Sequence, residues 1–347
     1  MRKLFFILGI SLFLTNITAQ ELTAVTEGQS QLVYSLPVTE LVFELEVEKT
    51  TQTPGPYYQY SERYLATNQV IVDAKTTYKL KNTTLNSNAL PDPRRTYAVP
   101  ESKYTALQQI SVNEKGLLTG INCDPVNIAK KEIRKEKRES FVYSSTNVLP
   151  LTEEYLMAGS TARLAEGAAK QIYRIRESRI SLLTGDLEHM PADGASIKTM
   201  LNELNRMEQE LTELFTGKVR IETVRHTIRI TPREAADKMI LFRISAHKGL
   251  VDVNDLSGVP YFMSITPEKS VAQPLNPKAK KTKTALYNIL PAQTTVSLSD
   301  GINTLLSQNI AMPQFGLLIP LSEELFKSAN TKLCVDPNTG RTLRLSR

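Results

Sequence analysis

The residues of this chain best suited to metal binding or nucleophilic attack are His189, His226, His247, Cys123 and Cys334. A zinc site needs three or four such ligands to converge, usually with two of them a few residues apart. Here the histidines are scattered and neither HExxH nor CxxC occurs, so the reading is no metal and no cofactor. The serine-hydrolase elbow GxSxG is missing, and Gly159-Ser160-Thr161 lacks the Gly/Lys frame of a phosphate loop. Cys123, followed by Asp124 and Pro125, could be read as a thiol nucleophile with a distant histidine, but any chain holding both residue types permits that pairing. Paired carboxylates for glycoside hydrolysis are defined by their separation in space. Glu62, Glu153 and Glu154 stand out no more than the rest of the 36 acidic residues. No catalytic residue is assigned, and a non-enzymatic role is preferred over a hydrolase whose site forms only on folding.

Two groups remain as binding candidates. Tyr57, Tyr58, Tyr60 and Tyr64 bring four phenol rings into one short run. Such a run can stack on a ligand, but a sugar platform draws best on tryptophan, and the chain has none. Packing is the preferred reading of the tyrosines. Arg174, Arg176 and Arg179 could grip a carboxylate or phosphate of a partner. The plainer alternative for this face is local ion pairing, Glu166 with Lys170 at i,i+4 and Arg174 with Glu177 at i,i+3. Cys123 and Cys334 leave two readings open: a disulfide in an oxidising compartment, or two separate buried thiols, the second being preferred.

The elements that must position these groups centre on residues 151–217. Thr152 is a good N-cap, with Glu153 and Glu154 in the first turn, and the helical pattern stops at Thr184-Gly185. A second helix opens at Asp193, carries Ile197, Met200, Leu201, Leu204, Met207, Leu211, Leu214 and Phe215 at helical spacing, and meets Gly217. The connection from Gly185 to Ala192 is short enough to fold the two into an antiparallel hairpin. Ala158, Gly159, Ala162, Ala165, Gly167, Ala168 and Ala169 make the first helix thin. That face should be consumed by close internal packing, which leaves the Tyr57–Tyr64 run and the Arg174–Arg179 face as the contact surfaces.

On both sides the pattern is that of strands. Within Gln31–Glu48, Leu41, Phe43, Leu45 and Val47 alternate with Val42, Glu44, Glu46 and Glu48. Further strands are read at 69–80, 106–112 and 117–121, the last two joined by a turn at Asn113–Gly116. Beyond the hairpin come strands around Val219–Thr231, one helical turn at Pro232–Asp237, then strands at 239–245, 259–266, 287–298, 315–319 and 332–335. Residues 123–150 and 273–283 read as linkers. The fold class is thus α+β, two β-rich segments flanking a central antiparallel helical hairpin: 1–20 a signal peptide, 21–150 the N-terminal β-rich segment, 151–217 the hairpin and 218–347 the C-terminal β-rich segment. Leu32-Val33-Tyr34-Ser35-Leu36-Pro37 echoes Ala285-Leu286-Tyr287-Asn288-Ile289-Leu290-Pro291 with one insertion. Two unrelated strands would give this, and so would two halves of common plan.

The N-terminus has the three-part layout of a secretory signal: Arg2-Lys3, an apolar run from Leu4 to Leu14, then polar residues to Gln20. The apolar run is too short to span a bilayer as a stop-transfer helix. Ile17 spoils the small-x-small pattern before Ala19, and the mature start is placed near Gln20 or Glu21; no cysteine stands there to carry a lipid. Loss of Arg2 and Lys3 takes the formal charge from +6 to +4, a mild excess. Nucleic acid is a poor partner for an exported chain. The basic clusters Lys130–Arg138 and Lys278–Lys283 read as solvated surface, with peripheral contact to anionic lipid head groups as the alternative.

The combination of Tyr34-Ser35-Leu36-Pro37, the stretch from Gly55 to Leu65, Ala168 to Glu177, Leu182 to Asp186, Leu214-Phe215-Thr216-Gly217, and the terminal Gln314-Phe315-Gly316 through Asp336-Pro337-Asn338-Thr339-Gly340 resembles the secreted domain-of-unknown-function family 4831 of Bacteroidota. The resemblance spans nearly all of the mature chain. It implies an exported envelope protein of about this length and carries no activity and no catalytic residues. The expectation is a protein of the periplasm or outer-membrane periphery that works through an envelope protein partner or as structural support; the alternative is a periplasmic binder of a small ligand or glycan.

Overall fold

The computed structural model describes residues 31–100, 110–123, 157, 159–186, 193–268, 284–322 and 330–346. The signal segment, both basic clusters, His189, Glu153 and Glu154 lie outside them. The fold is mixed and rich in sheet. Its spine is β1 (Gln31–Thr53), a 23-residue strand. Along one edge β1 pairs with β2 (Lys75–Pro100), and along the other, from Leu41 onward, with β5 (Lys218–Ile230). A second sheet has the order β10-β9-β8-β6-β7, formed by β6 (Ala236–Ser245), β7 (Gly249–Val251), β8 (Val259–Pro267), β9 (Thr284–Ser299) and β10 (Thr304–Ser322). A small third sheet, β12-β11-β4-β3, joins β3 (Ile110–Val112) and β4 (Leu118–Ile121) to β11 (Lys332–Val335) and β12 (Thr342–Ser346).

The alternation in β1 does what its period dictates. Leu41, Phe43, Leu45 and Val47 are all fully buried, and they meet Phe242, Ile244, Met263, Ile265, Val296 and Leu298 of the second sheet. Each such side chain withdrawn from water contributes about 1.5–3 kcal/mol. The lower ends of β1 and β9 close on the third sheet in a separate core of Tyr34, Leu36, Leu118, Ile121, Leu286, Ile289, Leu333 and Val335.

The two echoing segments occupy matching places. In β1 the single residue Leu36 stands opposite residues 92–95 of β2, and in β9 the single residue Pro291 stands opposite residues 313–316 of β10. Each hairpin is therefore kinked beside the shared proline. In each the third strand joins only beyond it, β5 from Leu41 and β8 from Thr294. The two tyrosines of the echo touch: the Tyr287 N–H donates to the Tyr34 hydroxyl at 2.9 Å, and Tyr97 stacks on Tyr287 and lies tilted against Tyr34. The two segments thus share a kink, a proline beside it and the side of the kink on which a third strand joins.

The two kinks also hold each other. The Gln314 side chain bonds both the N–H and the C=O of Thr39, at 3.0 and 3.1 Å, as a strand neighbour would. Arg95 donates to the carbonyls of Pro313 and Gln314, and the buried Asp92 carboxylate accepts from Arg233 at 2.9 Å. A buried carboxylate needs such partners, because an unpaired one would cost several kcal/mol.

Several expectations are corrected. The sheets cross the hairpin boundary, since β5 completes the sheet of β1 and β11 pairs with β4. Residues 232–235 form no helical turn; they lead through a bend at Glu234 into β6, where Ala236 pairs with Ile265. β2 starts at Lys75 rather than residue 69 and runs far past Leu80, because its partner is the whole length of β1.

Candidate functional site

The helical pair is α2 (Thr161–Thr184) and α3 (Gly194–Thr216). Asp193 caps α3 as its position predicts, accepting from the Ser196 N–H at 2.7 Å. Those hydrogen bonds hold its carboxyl below the ordinary value of 3.8. Gly185 closes α2 in the left-handed conformation. The start of α2 is corrected: its cap is Ser160, which accepts from the Arg163 N–H, and Thr152 lies outside the described residues. Short-range signals place a helix end poorly when several capping residues stand nearby.

The base of the pair is built by the small residues and the tyrosines together. Ala165, Ala168, Ala169, Ile172 and Ile175 of α2 are buried against Leu211 and Phe215 of α3. Tyr57 enters the same cluster, its ring 5.6 Å from that of Phe215, and its N–H donates to the Leu214 carbonyl at 2.9 Å. Tyr58, Gln59 and Tyr60 form a 3₁₀ turn that runs into α1 (Ser61–Leu65); Tyr60 and Tyr64 pack partly buried on the cluster, and Tyr58 contacts Gln59. Tyr173 donates to the Tyr64 carbonyl at 2.7 Å. Only glycine fits at two crossings here. A Cβ on Gly55 would lie 2.3 Å from the Leu214 carbonyl oxygen, and Gly217, at φ +86°, faces the Thr53 carbonyl and Ile71.

Midway along the pair, Arg176 and Arg179 reach from α2 to one carboxylate of α3. Arg176 Nε donates to Glu208 Oε1 at 2.7 Å, and Arg179 donates to Glu208 Oε2 and to Asn205. Two guanidiniums on one half-buried carboxylate clamp the helices in register. Arg174 is exposed, and the ion pair with Glu177 is not formed, whereas Glu166 and Lys170 do pair, at 2.8 Å.

Above the clamp the interior widens into an apolar groove of about 300 Å³, lined by Ser178 and Leu182 of α2 and by Met200, Glu203, Leu204 and Met207 of α3. Met200 is largely exposed, as are Ile180 and Leu183 on the same end of α2. Glu203, on the rim, is bonded to Arg206, which keeps its carboxyl below the ordinary range. The helical period of α3 was legible from Met200 to Phe215; the groove was not, because it exists only where the facing stretch of α2 fails to fill it.

The remaining candidates are apart from this arm. His226 stands opposite Leu45 in the β1–β5 ladder and His247 lies in the turn between β6 and β7. Among the described residues no three His, Cys, Asp or Glu side chains are grouped to hold a metal ion, and no helix is long and apolar enough to cross a membrane. Cys123 and Cys334 are bonded to each other, with Cα atoms 5.9 Å apart, which corrects the preferred reading of two separate thiols. The reason is the pairing of β4 with β11, which sets Cys334 opposite Gly120, three residues before Cys123.

No curated protein and no protein of solved structure matches the chain. A family model matches residues 30–343, from the residue before β1 into β12, and so takes in the spine, the helical pair and strands of all three sheets; the chain belongs to the family described as domain of unknown function (DUF4831).

Proposed function

We propose that this is an exported cell-envelope protein of a Bacteroidota bacterium, non-enzymatic, working through protein–protein contact: its β-rich segments support the central helical hairpin as an arm. The observation that carries the reading is the apolar groove toward the far end of a helical pair whose base is fastened by Tyr57, Phe215 and Gly55 and whose middle is clamped at Glu208. Rigid anchoring beneath an exposed apolar surface is a costly arrangement for a chain that binds nothing. A groove between two antiparallel helices accepts a third helix through anchors at i, i+3, i+4 and i+7, and methionines adapt to what enters. The occupant is therefore an amphipathic helix of an envelope protein, laid along Leu182, Met200, Leu204 and Met207. Export is supported by the Arg2-Lys3 and Leu4–Leu14 layout and by the Cys123–Cys334 bond, which belongs to an oxidising compartment. The groove is preferred to the contact surfaces read from the Tyr57–Tyr64 run and the Arg174–Arg179 face, because Tyr57, Tyr60 and Tyr64 pack on the helical cluster and Arg176 and Arg179 are held by Glu208, leaving only Tyr58 and Arg174 outside these contacts. A small-ligand binder is the second reading, supported by the same groove, whose volume is at the lower end for ligand sites; its apolar lining does not suit a glycan.

The test is a photo-crosslinking residue at Met200, compared with one at Ile302, a 92% exposed loop position on the β-rich body. In native cells the Met200 probe should capture one envelope protein through a helical segment, and the captured chain should begin within a few residues of Gln20. A Met200 probe that captures nothing beyond what the Ile302 probe captures refutes the partner, and recovery of intact Met1 refutes the export.

A further inference from the structure

Three long strands, β2, β5 and β10, lie at a sheet edge among the described residues, and β10 is built unlike the other two; β2 carries Lys75, Lys79, Lys81, Asp92, Arg94 and Arg95. β5 borders solvent with Lys218, Arg220, Glu222, Arg225 and Arg229 along its 13 residues. Charges of that density are what keeps an unpaired edge from recruiting another strand. β10 has 19 residues and no ionisable side chain at all. Its middle is covered, since Gln314 is held by Thr39 and Arg95 grips the backbone beside it. Among the described residues, no side chain bonds the outer edge of the stretch after the kink. Leu317, Leu318 and Ile319 are 37%, 40% and 38% exposed, in succession and hence on both faces, and Leu290 beside Leu317 on β9 is exposed too. A run of exposed apolar residues on an uncharged edge is a template for strand addition.

We propose that this stretch of β10 pairs with the same stretch of a second copy of the chain, antiparallel about a two-fold axis at Leu318. In that register Leu318 meets Leu318 of the second copy, Leu317 meets Ile319, and Gly316 meets Pro320, so every cross-strand pair is uncharged and apolar. The edge is its own complement; a charged partner strand would gain no ion pair from it. Pro320 lacks an N–H and ends the ladder, which limits the contact to about five residues a side and closes it as a dimer rather than a growing ribbon. So small a contact falls below the size of a permanent interface, and the dimer forms reversibly with a midpoint of about 10 to 100 µM.

Sedimentation velocity of the purified protein from about 1 to about 300 µM spans that range. The wild-type protein should move from monomer towards dimer. Leu318→Lys, which sets two like charges directly across the axis, should raise the midpoint at least about tenfold, while Ile221→Lys on β5 leaves it unchanged. A second variant removes any dependence on Leu318→Lys folding well: Leu318→Cys should give a covalent dimer under mild oxidation, because side chains across the axis are about 5 Å apart, and Ile221→Cys should give none. Wild-type protein that stays monomeric throughout overturns the proposal. So does a dimer that forms equally well with Leu318→Lys, or one that Leu318→Cys does not trap.

Discussion

Replacing Cys123 and Cys334 together by Ala would test how the ends of the chain are held. The bond joins residues 211 apart. In the chain-entropy model, closing a loop of that length removes about 18 cal/mol/K from the unfolded chain, or about 5 kcal/mol at 25 °C. Native contacts offer little to replace it, because the sheet it staples is made of short strands: β3 with three residues, β4 and β11 with four each, and β12 with five. Leu333 and Val335, which flank Cys334, are buried in the lower core with Tyr34 and Leu36, so opening the bond also loosens the start of β1. For a chain of 347 residues, whose unfolding entropy makes the shift about 1.4 °C per kcal/mol, thermal unfolding followed by circular dichroism should show the variant melting about 7 °C below the wild type. Unreduced wild-type protein, unfolded in denaturant, should take up no thiol label. A variant that melts within about 2 °C of the wild type would show that the third sheet stands without its staple. A label taken up by the unreduced wild type would show that the staple is not there.

Two further outcomes follow from the arm. Glu208→Gln removes the charge shared by Arg176 and Arg179, and since both guanidiniums are partly in water the loss should be modest, roughly 1 kcal/mol; hydrogen exchange should quicken at 176–184 while 165–172, held by the alanine contacts, stays protected, and uniform protection would remove the clamp. Asp193→Ala should lower the melting temperature at neutral pH. Because the folded carboxyl titrates below its ordinary value of 3.8, the cap's contribution is complete above that value and fades as pH falls through the lower folded one, so the gap between variant and wild type should narrow only in that acid range; a gap that is the same at pH 7 and at strongly acid pH counts against the cap.

Much of the secondary structure was legible because it is written in short periods. The alternation at Leu41–Val47 needs only the two-residue repeat of a strand, and Met200–Phe215 only the 3.6-residue repeat of a helix. Asp193, Gly185 and Gly217 mark helix ends through their own side chains or lack of one, so three of the four boundaries of the pair could be placed. The fourth, at Ser160, was misplaced to Thr152, since both residues can cap and only packing decides where α2 begins to pay.

What the chain determines by itself is thus local: the strands, the helical pair, the thinness of α2, and the paired tyrosine-to-proline segments at Tyr34 and Tyr287. What only the tertiary structure decides is which distant residues meet. β5 completes the sheet of β1 across the helices, Cys334 reaches Cys123 because β11 pairs with β4, and Gln314 bonds Thr39 because two kinked hairpins face each other. The same holds for function. Arg176 and Arg179 could by residue type either pair within the fold or grip a partner, and Glu208 facing them decides it, as Phe215 does for Tyr57. Side-chain chemistry is carried in one residue, but whether it is spent inside the fold or left for a partner depends on neighbours that sequence separation hides and burial reveals.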